Sequence, residues 1–306
     1  MSSKPAPYWL HAITPMHVGV GRGIGFVDLP IVREKVTNWP LIPGSSVKGV
    51  IADLNGATDD ARQNESADGR LLKAAFGSSG DDLANAGSLV FTDARIACFP
   101  VRSLYGTFAW VSSPMVLRRI NRDLRADSAW AKLPIPEPTN ANTILIPDVS
   151  KSAISEEGNK VYFEDLDFTA EENQDVGRIA TYFAEKVFGK ENPWFEPFRQ
   201  RFAVVPDGTF DYLCETATEV SARIRIDPKT KTVASGALWY EESVPAEAIF
   251  AGLLWCDRVY GAAGVTARNL IEKFASGERL LQLGGHATTG RGQARCIFPA
   301  AGGNND

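Results

Sequence analysis

The order of apolar and polar positions predicts strands and helices in alternation. An apolar run over 8–13 reads as a first strand. A glycine-studded loop over 17–30 follows, then short strands over 31–34 and 39–42 around a Thr37-Asn38 turn. Pro43-Gly44 breaks the chain, and Ser45 or Ser46 is placed to cap a helix reaching about 54. The polar stretch 55–68 is expected to be mobile, and a short helix over 70–76 stops at Gly77. Val, Ile and Phe crowd 88–99 and predict a strong strand, with another over 107–111. Ser113-Pro114 pairs an N-cap with proline at the first helical position, so a helix should run to about 124. Prolines at 134, 136 and 138 mark an exposed linker. Strands are expected over 143–146 and 160–164, and a helix with an acidic start over 174–187.

Alternation is clearest over 219–227. Val220, Ala222, Ile224 and Ile226 fall on one face, and Arg223 and Arg225 on the other. Asp227-Pro228-Lys229-Thr230 is a turn signal, and 232–241 reads as the returning strand. The stretch 219–241 therefore predicts a long hairpin projecting from the body. An apolar strand over 246–256, a helix over 266–274, and strands over 280–283 and 294–298 around a glycine-rich loop complete the chain. No fixed repeat is visible, and mixed strands, helices and hairpins argue an α+β fold rather than a doubly wound sheet.

At 306 residues the chain has room for one large domain or two ordinary ones. Hydrophobic residues at 44% and charged residues at 23% are ordinary globular usage. Residues 1–7 carry no signal pattern, and the longest clean apolar run, 249–256, is far below the roughly 18 residues of a membrane span. A cytoplasmic protein with no membrane partner is expected. Cys98, Cys214, Cys256 and Cys296 are scattered without a Cys-x-x-Cys pair, which suits free thiols in a reducing cytosol better than structural zinc. The net charge of −5 comes from one segment: residues 151–180 hold eight acids against three bases, leaving 29 of each elsewhere. Charge balance thus neither forbids nor demonstrates a nucleic-acid groove.

Candidate chemistry gathers in loops. Gly19, Gly21, Gly23 and Gly25, with Arg22 among them, form a loop that either lets backbone approach a phosphate or is simply flexible. No Walker or dinucleotide fingerprint fits it. GSSVKG over 44–49 sets Gly44, Ser45, Ser46 and Lys48 at a helix start, where an anion would be favoured; a solvated lysine is the plain alternative. GGHATTGRG over 284–292 offers Gly285 for close approach, Thr288 and Thr289 as donors and Arg291 as a phosphate clamp, or is an ordinary hairpin loop. With three histidines in the chain (His11, His17, His286), a multi-histidine metal site is disfavoured; His17 is a general base or a structural ring. Asp28 either forms a turn, helps hold Mg²⁺ with RNA phosphates, or orients a ribose 2′-hydroxyl.

Taken in order, HVGVGRGIGFVDLPIVREK, WPLIPGSSVKG, SLVFTDARIACFPVRSLYGTFAWVSSP, EVSARIRIDPKTKTVASGALWYEE and GGHATTGRG resemble the repeated backbone subunit (subunit four) of type III-B Cmr CRISPR-Cas effector complexes, in the RAMP superfamily. The resemblance runs from about 8 to 298, and 126–215 contributes little to it. It implies a single RAMP-type domain over 1–306 with a ferredoxin-like (RRM-like) palm, an insertion of uncertain structure over 126–215, and a β-hairpin thumb over 219–241. It implies copies stacked head to tail on a CRISPR guide RNA, other Cmr subunits as partners, and cleavage of complementary target RNA at regular intervals. The cutting residue it implies is Asp28, with Mg²⁺ or another divalent metal; His17, Glu241 and Glu242 fall near the cut. Lys48 would contact the guide, and Arg223 and Arg225 would hold phosphates beside the thumb. A filament scaffold without chemistry, and a free-standing nuclease using histidine, are the rival functions.

Overall fold

Strand β1 (Ala6–Ala12) is apolar on both faces because both are covered. Trp9 meets the rings of Tyr182 and Phe183. Tyr8, on the opposite pleat, meets Phe91 and Phe298. The structure, a computed structural model, describes residues 3–21, 27–64, 66–78, 85–124, 130–156, 159–260 and 264–299. After β1 come β2 (Leu41–Ile42), α1 (Gly44–Leu54), α2 (Asp59–Gln63), α3 (Ala67–Phe76), β3 (Gly77–Ser78), β4 (Asn85–Ala86), β5 (Leu89–Phe91), β6 (Ala94–Arg102), β7 (Phe108–Ser112) and α4 (Pro114–Asp123). Next are β8 (Thr143–Ile146), β9 (Lys160–Phe163), β10 (Leu166–Glu172), α5 (Gln174–Val187), α6 (Phe195–Arg201), β11 (Phe202–Val204) and α7 (Asp207–Thr216). The chain closes with β12 (Glu219–Ile226), β13 (Val233–Ser243), β14 (Ile249–Cys256), α8 (Ala267–Phe274), β15 (Glu278–Gln282) and β16 (Gln293–Ile297).

One 12-stranded sheet runs β15-β16-β1-β14-β6-β7-β11-β8-β10-β9, with β2 added on β6 and β5 on β14. It is mostly antiparallel; β7–β11 and β8–β10 are parallel pairs. This is a mixed α/β architecture, as the α+β reading expects. Strands β12 and β13 stand outside that sheet and pair with no other strand among the described residues.

Local signals act where their partners are local. Ser113 accepts from Val116 N and starts α4, and Asn173 accepts from Asp175 N and Val176 N to start α5. The start of α1 differs from the serine cap expected there. Ser45 and Ser46 lie inside its first turn, and Asp93 of a distant loop accepts from Gly44 N at 2.9 Å. The strand expected over 88–99 breaks at Thr92-Asp93, whose polar groups bind elsewhere: Thr92 O accepts from Tyr8 Oη at 2.6 Å and Thr92 Oγ1 from Leu253 N at 2.8 Å. The polar stretch 55–68 is not bare coil, because α2 and the start of α3 occupy it. The stretch 126–215 continues the main sheet: β11 pairs with β7 and β8, and β10 with β8 and β9.

Candidate functional site

The hairpin sets the geometry. Val220 pairs with Glu242, Ala222 with Tyr240 and Ile224 with Leu238, with an irregularity at Arg225. Asp227 accepts from Lys229 N and Thr230 N, and Lys231 takes a left-handed conformation to turn the chain. The apolar face is bare: Val220, Ile224, Ile226, Val233, Leu238 and Tyr240 are all exposed. Arg225 is exposed as well. Arg223 instead turns inward, its Nε 3.0 Å from Glu241 Oε2.

Three segments converge on the base of β13. The first follows β1. Met16 pairs with Val244, and His17 Nδ1 donates to Glu242 O at 2.6 Å. That carbonyl only accepts, so Nδ1 carries the proton and Nε2 is the basic atom of the neutral ring. His17 is buried, and its Nε2 lies 2.7 Å from where a Cβ on Gly19 would sit. A side chain at 19 would therefore crowd the one basic atom this ring offers.

The second segment carries Asp28. Leu29 bridges to Glu241 on the edge of β13 away from β12: Leu29 N donates to Tyr240 O, and Glu242 N donates to Leu29 O. Asp28 Oδ2 accepts from Tyr240 N at 2.8 Å, and the residue is exposed. The Asp28 side chain is thus fixed by one oxygen at the foot of the hairpin. Arg22, Gly23 and Gly25, singled out in the loop before it, lie outside the described residues.

The third segment is the loop 284–292. Its glycines serve close packing. Gly284 has φ +79°, and a Cβ there would lie 2.2 Å from His17 O; Gly292 has φ +85° and would meet Leu283 O at 2.3 Å. Gly285 N donates to His17 O at 2.9 Å. Arg291 donates to Ser243 Oγ and reaches Ser221 Oγ at 3.5 Å, so it ties the loop to both hairpin strands. Thr289 Oγ1 donates to His286 O, and Thr288 is exposed.

Two buried glutamates hold the junction. Glu242 accepts from Ile31 N at 3.1 Å, Arg33 at 2.5 Å and Thr218 Oγ1 at 2.9 Å. Glu241 accepts from Trp239 Nε1 at 2.8 Å and from Arg223. Burial pushes the Glu241 carboxyl up, but hydrogen bonds from Trp239 and Arg223 and the charge of His286 outweigh it and hold it below its ordinary range. His286 Nε2 lies 3.5 Å from Glu241 Oε2, and the His286 and His17 ring centroids are 5.1 Å apart. The sequence reading assigned His286 no role. The available signal was that, besides Arg291, it is the titratable side chain in GGHATTGRG.

The GSSVKG residues belong to another element, α1. Lys48 is half-buried, and burial together with the nearby Arg62 charge lowers its pKa. A like charge beside a half-buried lysine suits an anion. Ser45 is exposed and Ser46 half-buried. Gly44 is spent on packing: its N–H goes to Asp93, and a Cβ there would lie 2.3 Å from Phe91 O. A phosphate at this helix start would meet Lys48 and the serines, with Asp93 opposing it.

Among the described residues no group of three or more His, Cys, Asp or Glu could hold a metal ion. The lone exposed carboxylate of Asp28 still fits Mg²⁺, which takes one or two carboxylates and fills its shell with phosphate and water.

Residues 9–295 match the model of the RAMP superfamily. The CRISPR system Cmr endoribonuclease Cmr4 of Pyrococcus furiosus is 35% identical over 291 residues, which is 92% of either chain. The crystal structure of oligomeric Cmr4 from Pyrococcus furiosus superposes with a TM-score of 0.70 at 27% identity, covering 97% of this chain and 98% of that one. The same fold, at 21% identity and a TM-score of 0.68, occurs in type III-B Cmr-beta bound to cognate target RNA, with 97% of each chain covered.

Proposed function

The chain belongs to the RAMP superfamily and, within it, to the Cmr4 family, and from that premise we propose that it is the repeated backbone subunit of a type III-B effector, binding guide RNA and cutting complementary target RNA at Asp28. The observation that carries the reading is the placement of Asp28: an exposed carboxylate pinned by Tyr240 N to the foot of a bare apolar hairpin. On this reading the main sheet is the RRM-like palm and β12–β13 the thumb. The exposed Val220, Ile224 and Leu238 wedge a base step open, at a cost of a few kcal/mol per step. The displaced nucleotide then brings its 2′-hydroxyl to Asp28. Arg225 is placed for a flanking phosphate, whereas Arg223 is committed to Glu241. Lys48 meets the guide backbone, and the copies stack head to tail through a heterologous contact that leaves the array open.

Asp28 orients the 2′-hydroxyl and accepts its proton as O2′ attacks the adjacent phosphorus. The P–O5′ bond breaks, leaving a 2′,3′-cyclic phosphate and a 5′-hydroxyl. A divalent cation held by Asp28 and the RNA phosphates would supply charge neutralisation at the reacting phosphate. The fixed edge of β13 keeps the carboxylate where the phosphate arrives, which is the positioning part of catalysis. Partners on this reading are the guide RNA, the target RNA, further copies of the chain and other Cmr subunits, in the cytoplasm. No helix among the described residues is long and apolar enough to cross a membrane.

The test is the complex assembled on a guide and given complementary RNA with Mg²⁺ or with a chelator. Regularly spaced cuts ending in cyclic phosphates, absent with chelator, are expected. Target bound and left intact in Mg²⁺ would identify a scaffold instead, and 3′-hydroxyl ends would refute attack by O2′.

A further inference from the structure

The proposed reaction expels O5′, and an alkoxide leaving at neutral pH needs a proton. Asp28 has accepted one and is the wrong group to give one. The groups around the hairpin base narrow the donors. His17 is buried, and its Nδ1 proton is held by Glu242 O. Arg223 is paired with Glu241, and Arg291 with the serines at 243 and 221. His286 is different. Its side chain is 29% exposed, and its Nε2 faces the buried carboxylate of Glu241 at 3.5 Å. Its backbone is held left-handed at φ 65° by a loop whose Gly284 packs on His17 O. A buried carboxylate behind one ring nitrogen orients an imidazole.

We infer that His286 is a catalytic residue of this site: its imidazolium gives the proton that O5′ takes as the P–O5′ bond breaks. Resting on the cleavage reading above, the step balances. The 2′-hydroxyl proton goes to Asp28, the electron pair of the P–O bond goes to O5′, and the Nδ1 proton of His286 joins it. Glu241 stays ionised behind Nε2, and Arg223 and Trp239 keep that carboxylate in place. His17, 5.1 Å away between ring centroids, is the other titratable group facing the ring. Among the described residues, the charged or titratable groups that face His286 are Glu241, Arg223 through Glu241, and His17, with Arg291 on its own loop.

The experiment compares the assembled complex with one built from His286→Gln, under single-turnover conditions, on two target RNAs. One is ordinary; the other carries sulfur in place of O5′ at the scissile linkage. A thiolate leaves without a proton, so that substrate does not need the acid. His286→Gln is expected to slow cleavage of ordinary RNA by about 100-fold or more, the usual worth of a positioned proton donor. It should leave the sulfur-substituted target within about threefold of the unaltered complex. Equal slowing on both substrates would reduce His286 to a structural residue, and an unchanged rate on ordinary RNA would remove it from the site; either overturns the inference while leaving the cleavage reading in place. Failure of the unaltered complex to cut either RNA would overturn that reading and this inference together.

Discussion

Glu242 is a strong test of how the Asp28 segment is held at the base of the hairpin, because its nearly buried side chain ties that segment to Thr218 at the start of β12. It is 6% exposed and accepts from Ile31 N, Arg33 and Thr218 Oγ1, groups from two places in the chain. Glu242→Ala strands the Ile31 amide and takes the carboxylate from Arg33. Breaking a buried pair by removing one partner costs about 3–5 kcal/mol. Arg33 keeps its bonds to Asn38 O and Cys214 O, which puts the loss near the lower end, about 3 kcal/mol. For a chain of this size that lowers the melting midpoint by about 5–10 °C. Glu242→Gln should be milder, since one oxygen is kept and one donor faces another. Thermal unfolding followed by circular dichroism ranks the two. Target cleavage should fall with stability, because Leu29 and Asp28 ride on the same edge of β13. A Glu242→Gln protein with unchanged melting but abolished cleavage would refute this account and make Glu242 a participant in the chemistry. A midpoint for Glu242→Ala within about 1 °C of the parent would refute the packing argument.

Further outcomes follow from other residues. Lys48→Ala should weaken assembly on guide RNA of any sequence and shallow the log–log salt dependence by about one unit per site; an unchanged slope would place Lys48 away from phosphate. Hydrogen bonds from Arg119 lead the causes that hold Glu34 down to about 2 from its ordinary 4.5, against the opposing effect of burial. Its folded pKa is depressed, so its contribution is complete above about 4.5 and is lost as pH falls towards about 2. Glu34→Gln should accordingly melt below the parent at pH 7, with the gap closing across that window; a gap independent of pH would show the pair contributes nothing by charge. Replacing 222–238 by a short Gly-Ser linker should leave a folded, guide-binding protein, because β12 and β13 pair with no other strand among the described residues. Regular target cuts should disappear with the wedge, and their persistence at the same positions would show that the hairpin is not the thumb.

What could be read from the chain depended on where each group's partner lies. The start of α4 was legible because Ser113 binds an amide three residues on, and that of α5 because its acidic first turn and apolar periodicity are local; the Asn173 cap was not singled out. The start of α1 was not, since Asp93 closes it from 49 residues away. Alternation exposed the hairpin and the split between its apolar and arginine faces, but not that Arg223 would be taken by Glu241. Asp28 and His17 were visible as polar residues in glycine-bordered loops. Their meeting at β13 was not, because it is made by backbone pairing of Met16, Leu29 and Glu242, to which any side chain is compatible. Of the glycines in 284–292, Gly284 lies against the His17 carbonyl and Gly292 against that of Leu283, contacts between residues whose neighbourhood no local pattern announces.

The most direct measurement is target cleavage by a complex assembled from Asp28→Ala. The substitution removes one exposed hydrogen bond, to Tyr240 N, at a cost of about 0.5–1.5 kcal/mol, too little to unfold the chain. It also removes a negative charge from an RNA surface, so guide and target binding should be kept. The account predicts a complex that assembles, binds complementary RNA as tightly as before, and leaves it uncut. Regular cuts by the Asp28→Ala complex at the parent's rate would contradict it.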